Sequence, residues 1–227
     1  MKLTIIMPVY NERENLPRVL PRVQALGLDQ EIVLVDNCST DGTREWLQQL
    51  DAPGVRVVLQ PRNYLKGTSV KKGIELAQGD YCVVQDADLE YDPADIPRLL
   101  ATAEAERADA VFGSRFLQRN GAAPASHWHA FGRNRLNDLY RVLYCSRLTD
   151  VATCYKLVRT AVLRSLNLRS AGFDLDYEIA AKLAKRRCRV VEAPVSYRPR
   201  TAGEGKKLTW RDGVPAALAL LRFRFTD

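Results

Sequence analysis

The sequence predicts an α/β fold: a mainly parallel sheet with helices on both faces, followed by a C-terminal portion of different rhythm. Three observations carry this. Short apolar runs alternate with amphipathic stretches of 10–14 residues through the first half of the chain, the pattern of βαβ units. The runs are apolar on both faces, as buried parallel strands are. The composition, 46% apolar and 27% charged over 227 residues, is that of a globular chain long enough to bury a sizeable core.

The elements follow in order. Leu3–Val9 reads as a strand, and Asn11 with Glu14 three residues later resembles a capping box that opens a helix over 11–25, stopped by Gly27. A second buried strand covers 31–36, and Thr40-Asp41-Gly42 opens a helix to about residue 50. Val55–Leu59 is a third strand, 67–77 a helix closed by Gly79, and 80–85 a fourth strand. Asp92-Pro93 sets an N-cap with proline in the first helical position, for a helix to about 106. A fifth strand covers 108–113.

After Phe116 the rhythm changes, and a soft boundary there divides one domain, 1–227, into halves 1–116 and 117–227. Residues 118–127 read as a loop, 131–144 as a helix, and 155–158 as a short strand at most. Leu175–Lys185 is an amphipathic helix, 190–197 a strand pair broken at Pro194, 201–207 a basic glycine-containing loop, and 210–225 a closing helix. That last helix, with Leu218, Leu220, Leu221, Phe223 and Phe225 beside Arg222 and Arg224, either packs on the core or lies in a membrane interface.

Charge narrows the partners. Lys and Arg exceed Asp and Glu by 34 to 27, a net +7, which favours nucleotides, phosphorylated substrates, acidic membrane surfaces or nucleic acid. No aromatic-interleaved basic stripe is present, which argues against nucleic acid. The five cysteines are scattered and never form C-x-x-C, so neither a zinc knuckle nor a disulfide framework is expected, and a reducing compartment fits. The start is too short in apolar run for a signal peptide, and no window approaches a membrane span. A cytoplasmic protein, with or without contact to the inner face of the membrane, is the expectation.

In parallel sheets ligands bind beyond the carboxyl ends of the strands. There the sequence places Pro8, Tyr10, Asn11 and Glu12 after strand one, and Asp36 and Asn37 after strand two. Gln85, Asp86, Asp88 and Glu90 follow strand four, and Ser114 and Arg115 follow strand five. Asp86-Ala87-Asp88 is the sharpest feature. If extended backbone persists past Gln85, both carboxylates share a face and, with Glu90 near, suit Mg²⁺ or Mn²⁺ held jointly with substrate phosphates. The competing reading is a pair of turn-forming aspartates leading into Pro93. Lys66-Gly67 is either a phosphate-facing helix N-terminus or an ordinary helix start. Arg198, Arg200, Lys206 and Lys207 either close on a diphosphate or a lipid phosphate or are simply solvated. Asp174, Asp176 and Glu178 are either catalytic or serve the helix dipole. His127 and His129 fall in the predicted loop, where surface roles are expected. No dinucleotide-binding, P-loop or G-x-S-x-G motif occurs.

Taken together, Pro8-Val9-Tyr10-Asn11-Glu12, Val35-Asp36-Asn37-Cys38-Ser39-Thr40-Asp41-Gly42-Thr43, Asp86-Ala87-Asp88-Leu89-Glu90-Tyr91-Asp92-Pro93 and Gly113-Ser114-Arg115-Phe116 resemble the family 2 glycosyltransferases of the GT-A fold. The nearest branch is the dolichol-phosphate mannosyltransferase-like enzymes, which 173–179 and 204–213 also resemble. The resemblance implies a GDP- or UDP-sugar donor bound by Pro8, Tyr10, Glu12, Val35, Asn37, Asp86, Ala87, Asp88, Arg200 and Lys206. It implies a divalent metal at Asp86, Asp88 and Glu90, and an acceptor, a polyprenyl phosphate or a saccharide or protein hydroxyl, near Arg115 and Arg133. It further implies single displacement with inversion, in which Asp88 and Arg115 serve the leaving group and Asp176 is the first candidate base for a hydroxyl acceptor. Two positions depart from the branch: Asn37 stands where it often has an acid, and Leu65 where its N-x-G-K-G turn has the first glycine.

Overall fold

A computed structural model describes residues 1–117, 127–200 and 213–226, with 127–134 described by backbone alone. Strands β1 (Leu3–Val9), β2 (Gln30–Asp36), β3 (Val55–Leu59), β4 (Tyr81–Val84), β5 (Ala110–Ser114), β6 (Lys156–Arg159) and β7 (Val190–Pro194) form one sheet in the order β3-β2-β1-β4-β6-β5-β7. Only β6 runs against its neighbours, antiparallel to both β4 and β5. The other six strands therefore share a direction and send their carboxyl ends to one edge.

Helices α1 (Leu16–Gln24), α2 (Thr43–Gln48) and α4 (Ile96–Ala105) cover one face, and α3 (Lys66–Leu76), α5 (His127–Tyr144), α6 (Thr160–Ser165), α7 (Leu175–Lys185) and α8 (Gly213–Phe225) the other. The period-two alternation of β1 shows why both faces need covering. Leu3, Ile5, Met7 and Val9 enter the core under α1 and α4, while Ile6 enters the core under α3 and α7. The expected two-sided α/β architecture is therefore present.

Several local expectations are revised. The capping box at Asn11 does not form: the helix starts at Leu16, and Asn11 sits in the left-handed region at φ 50°. Its side chain instead accepts from the Thr40 amide at 2.8 Å, joining the loops after β1 and β2. Asp92 does cap, accepting from the Ala94 amide at 3.0 Å, but it caps a 3-10 turn over Pro93–Asp95 that leads into α4. His127 and His129 belong to α5 and not to a loop. The "strand pair" of 190–197 is one strand ending at Pro194, after which Tyr197 returns in an isolated antiparallel bridge to Tyr91. The short β6 is a central strand, and α6 was not anticipated because six residues carry too little periodicity.

Leu65 shows how a departure in sequence is absorbed. Its backbone takes φ 70°, ψ 164°, a region essentially reserved for glycine, and its side chain is 58% exposed. The turn keeps the shape a glycine would give it. Strain there is of order 1–3 kcal/mol, larger than the ~0.5–1 kcal/mol a glycine loses in chain entropy. Leu65→Gly is therefore expected to raise the thermal midpoint, and calorimetry showing a lower one would contradict the strain.

Candidate active site

The carboxyl edge of the sheet collects the polar residues anticipated there. After β1, Glu12 is 6% exposed and receives both terminal nitrogens of Arg200, at 3.1 and 2.8 Å. Val35 is fully buried and lies beside Pro8 in the β1–β2 register, so these two form the apolar floor between the strand ends. At the end of β2, Asn37 donates to Asn63 Oδ1 at 2.8 Å and accepts from the Tyr64 amide at 2.8 Å. Asparagine suits this position because it does both; a carboxylate would lose the donor. Tyr10, half-buried, directly follows β1.

β4 ends at Val84, so the extended backbone does not persist to Asp88. Residues 87 and 88 turn, and Asp88 Oδ1 accepts from the Glu90 amide at 3.1 Å. The turn reading was thus right about the backbone, yet Asp86 and Glu90 remain near enough to act on Asp88. Burial first, then the nearby Asp86 and Glu90 carboxylates, push the Asp88 carboxyl up to about 7. Ala87 between them is 2% exposed and fixes the turn to the core. Lys66, at the N-terminus of α3, meets Asp86 Oδ2 at 2.7 Å. Burial alone would lower this ammonium, but Asp86 overrides it and holds the lysine far above its usual range. The α3 start is also packed backbone to backbone: a Cβ on Gly67 would lie 2.7 Å from the Ala171 carbonyl carbon and 2.8 Å from the Gly172 oxygen.

Both oxygens of Glu90 are engaged, Oε1 by the Arg200 amide at 2.8 Å and Oε2 by the Tyr197 hydroxyl at 3.0 Å. Arg200 also donates to the Asp88 carbonyl at 2.8 Å. The segment leaving β7 is thereby strapped across the acid turn. Arg115 is held from beside β5 by Asp150, Nε to Oδ2 at 2.6 Å and Nη2 to Oδ1 at 2.7 Å, with its guanidinium over the Tyr197 ring at 4.9 Å. Asp176, at the start of α7, accepts from Lys156 Nζ at 3.0 Å. The Cys154 thiol, buried against Asp86, is raised well above its usual range.

The structure therefore brings together Glu12, Asp86, Ala87, Asp88, Glu90 and Arg200 around one turn, with Arg115 just past the end of β5 and Asp176 in the first turn of α7. The Arg133 side chain, Lys206 and the rest of the basic loop 201–207 lie outside the described residues. Four participants escaped sequence reasoning: Asp150, Tyr197, Lys156 and Cys154. For Lys156 a signal existed, a charge inside the apolar run Tyr155-Lys156-Leu157-Val158.

Among the described residues no group of three or more His, Cys, Asp or Glu is arranged as a metal cage. The donor set nonetheless fits a divalent cation held together with substrate phosphate, which needs only one or two carboxylates. What favours it is the acid turn itself: Asp86 and Asp88 lie two positions apart with Glu90 beside them, and the Lys66 ammonium already pairs with Asp86 there. The sign of the pH dependence follows. Between about pH 4 and 7 the folded protein keeps a proton that the unfolded chain has released, so stability falls as pH rises through this window, by up to about 1.4 kcal/mol per pH unit. Denaturation of the metal-free protein against its Asp88→Asn variant checks this: the difference between them should shift in the variant's favour from pH 4 to 7 and level above it. A constant difference would contradict the raised carboxyl.

Comparison with known proteins agrees with the geometry. The family model described as Glycosyl transferase family 2 matches residues 4–166. The chain is 31% identical over 214 residues to a Pyrococcus furiosus protein named dolichol-phosphate mannosyltransferase, across 91% of this chain and 59% of that protein. It is 30% identical over 217 residues to a Micrococcus luteus protein named undecaprenyl-phosphate mannosyltransferase, across 91% of this chain and 87% of that protein. The chain thus spans less than two thirds of the P. furiosus relative. Among solved structures, glucosyl-3-phosphoglycerate synthase from Mycobacterium tuberculosis, in complex with Mn²⁺, UDP and phosphoglyceric acid, superposes with a TM-score of 0.70 at 18% identity, covering all of this chain and 79% of that one. That likeness shows the fold, which is GT-A.

Proposed function

Because the chain belongs to glycosyl transferase family 2, we propose that it transfers a hexosyl group from a GDP- or UDP-sugar to a polyprenyl phosphate at the inner face of a membrane, with inversion at the anomeric carbon. The observation that carries this is the acid turn Asp86–Asp88 at the carboxyl edge, bordered by Lys66 and Arg200. Two relatives named for polyprenyl-phosphate mannosyl transfer, each matched over 91% of this chain, support the acceptor and favour mannose as the sugar.

The chemistry asks little covalent work of the protein. A phosphate oxygen of the acceptor attacks the anomeric carbon, the bond to the donor diphosphate breaks on the opposite face, and the nucleoside diphosphate leaves with the electron pair. Asp86 and Asp88 would hold Mg²⁺ or Mn²⁺, whose charge would offset that developing on the departing diphosphate. Val35 and Pro8 floor the base side of the site, and Tyr10 and Asn37 border it. Lys66 and Arg200 are cations at the acid turn; beyond the described side chains, Lys206 is assigned to the donor, and Arg133, with Arg115, to the acceptor. Because a lipid phosphate is anionic at neutral pH, it attacks without a general base. Asp176, the first candidate base for a hydroxyl acceptor, is engaged by Lys156 Nζ at 3.0 Å and has no step to perform on this route.

The test is a panel of GDP-mannose, UDP-glucose and UDP-N-acetylglucosamine with Mg²⁺ or Mn²⁺, scored for transfer to a polyprenyl phosphate, to a disaccharide and to water. The expected result is one glycosyl phospholipid of inverted anomeric configuration, abolished by chelator. Transfer to the disaccharide alone would move the acceptor to a hydroxyl; nucleotide binding without turnover would make the chain a binding module.

A further inference from the structure

Helix α8 carries two faces, and among the described residues one is packed and the other exposed. Ala216, Ala219, Leu220 and Phe223 are buried against α5 and α7. On the opposite side Val214, Leu218, Leu221 and Phe225 are 56%, 59%, 42% and 82% exposed. At 3.6 residues per turn these four fall within about 60° of arc, with Arg222 and Arg224 roughly 70–90° to either side. An apolar ridge with an arginine on each flank is the layout of a helix lying flat in a lipid headgroup layer. α8 contains no acidic residue. Further cations crowd its C-terminal end, where Lys185 Nζ donates to the Thr226 carbonyl at 2.7 Å and Arg186 and Arg187 follow, both exposed.

We propose that this ridge docks the protein on an anionic bilayer. Charge decides the occupant: Arg222, Arg224, Lys185, Arg186 and Arg187 are matched to a negative lipid surface, whereas a second copy of the same face would set cation against cation. The ridge also approaches the candidate site through one intervening segment. A cavity of about 500 Å³ lies between it and the segment before α7, lined by Ser170, Asp174, Pro215, Leu218, Leu221 and Arg222. Ala171 and Gly172 of that segment pack on Gly67, next to the Lys66–Asp86 pair. A bilayer under α8 therefore lies one backbone segment away from the acid turn, where a lipid-borne phosphate must arrive. The surface deepens the lipid-acceptor reading and rests on it for its purpose, but not for its test.

The test is co-sedimentation of the full chain with phosphatidylcholine vesicles, with and without phosphatidylglycerol. The protein is expected to pellet with the anionic vesicles. Leu218→Glu/Phe225→Glu should weaken this at least tenfold, and Arg222→Gln/Arg224→Gln should remove the preference for phosphatidylglycerol, all with unchanged thermal midpoints. Both pairs should leave transfer to a short, water-soluble polyprenyl phosphate unaltered. Wild-type protein remaining in the supernatant, or variants that pellet equally well, would overturn the surface. So would a vesicle-free dimer that the glutamate variant splits, since the ridge would then belong to a second copy. Vesicle binding without sugar transfer to any phosphate would leave the surface standing and overturn the reaction instead.

Discussion

Asp88→Asn is expected to lower sugar transfer by about 10²–10³-fold, the scale seen when one stabiliser of developing negative charge is removed, without loss of folded stability. The two halves of this expectation come from the same geometry. In the folded protein Asp88 is crowded by Asp86 and Glu90 and pushed up to about 7, so its ionised form is a cost that only a bound cation or donor complex offsets. Asparagine removes that cost and keeps the acceptor oxygen that the Glu90 amide uses at 3.1 Å. It also halves the charge available to a divalent ion. Steady-state rates with saturating Mn²⁺, set beside thermal melts of the metal-free protein at pH 7.5, measure both. A variant within tenfold of wild-type activity would remove Asp88 from the reaction, and a variant several degrees less stable would mean that its carboxylate braces the turn.

The second large effect is on folding. Arg115→Leu is expected to destabilise the protein by about 3–5 kcal/mol, because it strands Asp150 as a buried charge. The Asp150 side chain is fully buried and that of Arg115 is 9% exposed. The carboxylate also accepts the Arg115 amide at 3.1 Å, and Glu192 ties the Thr149 and Asp150 amides at 2.9 and 3.1 Å. A loss of this size would lower the midpoint by about 10 °C at the ~2–4 °C per kcal/mol usual for a chain of this length. Lysine should rescue only part of it, since it cannot span both carboxylate oxygens as the guanidinium does. The double variant Arg115→Leu/Asp150→Leu should be more stable than Arg115→Leu alone, and a double variant that is no better would mean that Asp150 carries no charge to be stranded. Any activity attributed to Arg115 must therefore be measured below the variant's own melting range.

What the sequence disclosed and what it withheld divide along a physical line. β1 to β5 and their helices were legible because periodicity is local, as were the acids at strand ends, since where a parallel strand stops is where its polar residues begin. The partners of those residues were not. Lys66 reaches Asp86 across 20 positions, Arg115 reaches Asp150 across 35, and Arg200 reaches Glu12 across 188. No local spacing encodes such pairs. The extended-backbone argument for Asp86 and Asp88 named the right residues through a conformation that the chain does not adopt; their proximity comes from a turn. β6 was undervalued for a related reason: four residues say nothing of where in a sheet they will lie.

That insertion has a consequence for any attempt to dissect the molecule. β4 and β5 never touch as partners; each hydrogen-bonds to β6, which arrives from beyond residue 150. Severing the chain near residue 116 would leave one fragment with β4 as a raw margin and β5 with no companion on either flank, an invitation to aggregate. The segments before and after residue 116 are sewn through a shared seam. A chimera that exchanges the second segment would have to keep Lys156–Arg159 with the first and graft on either side of it.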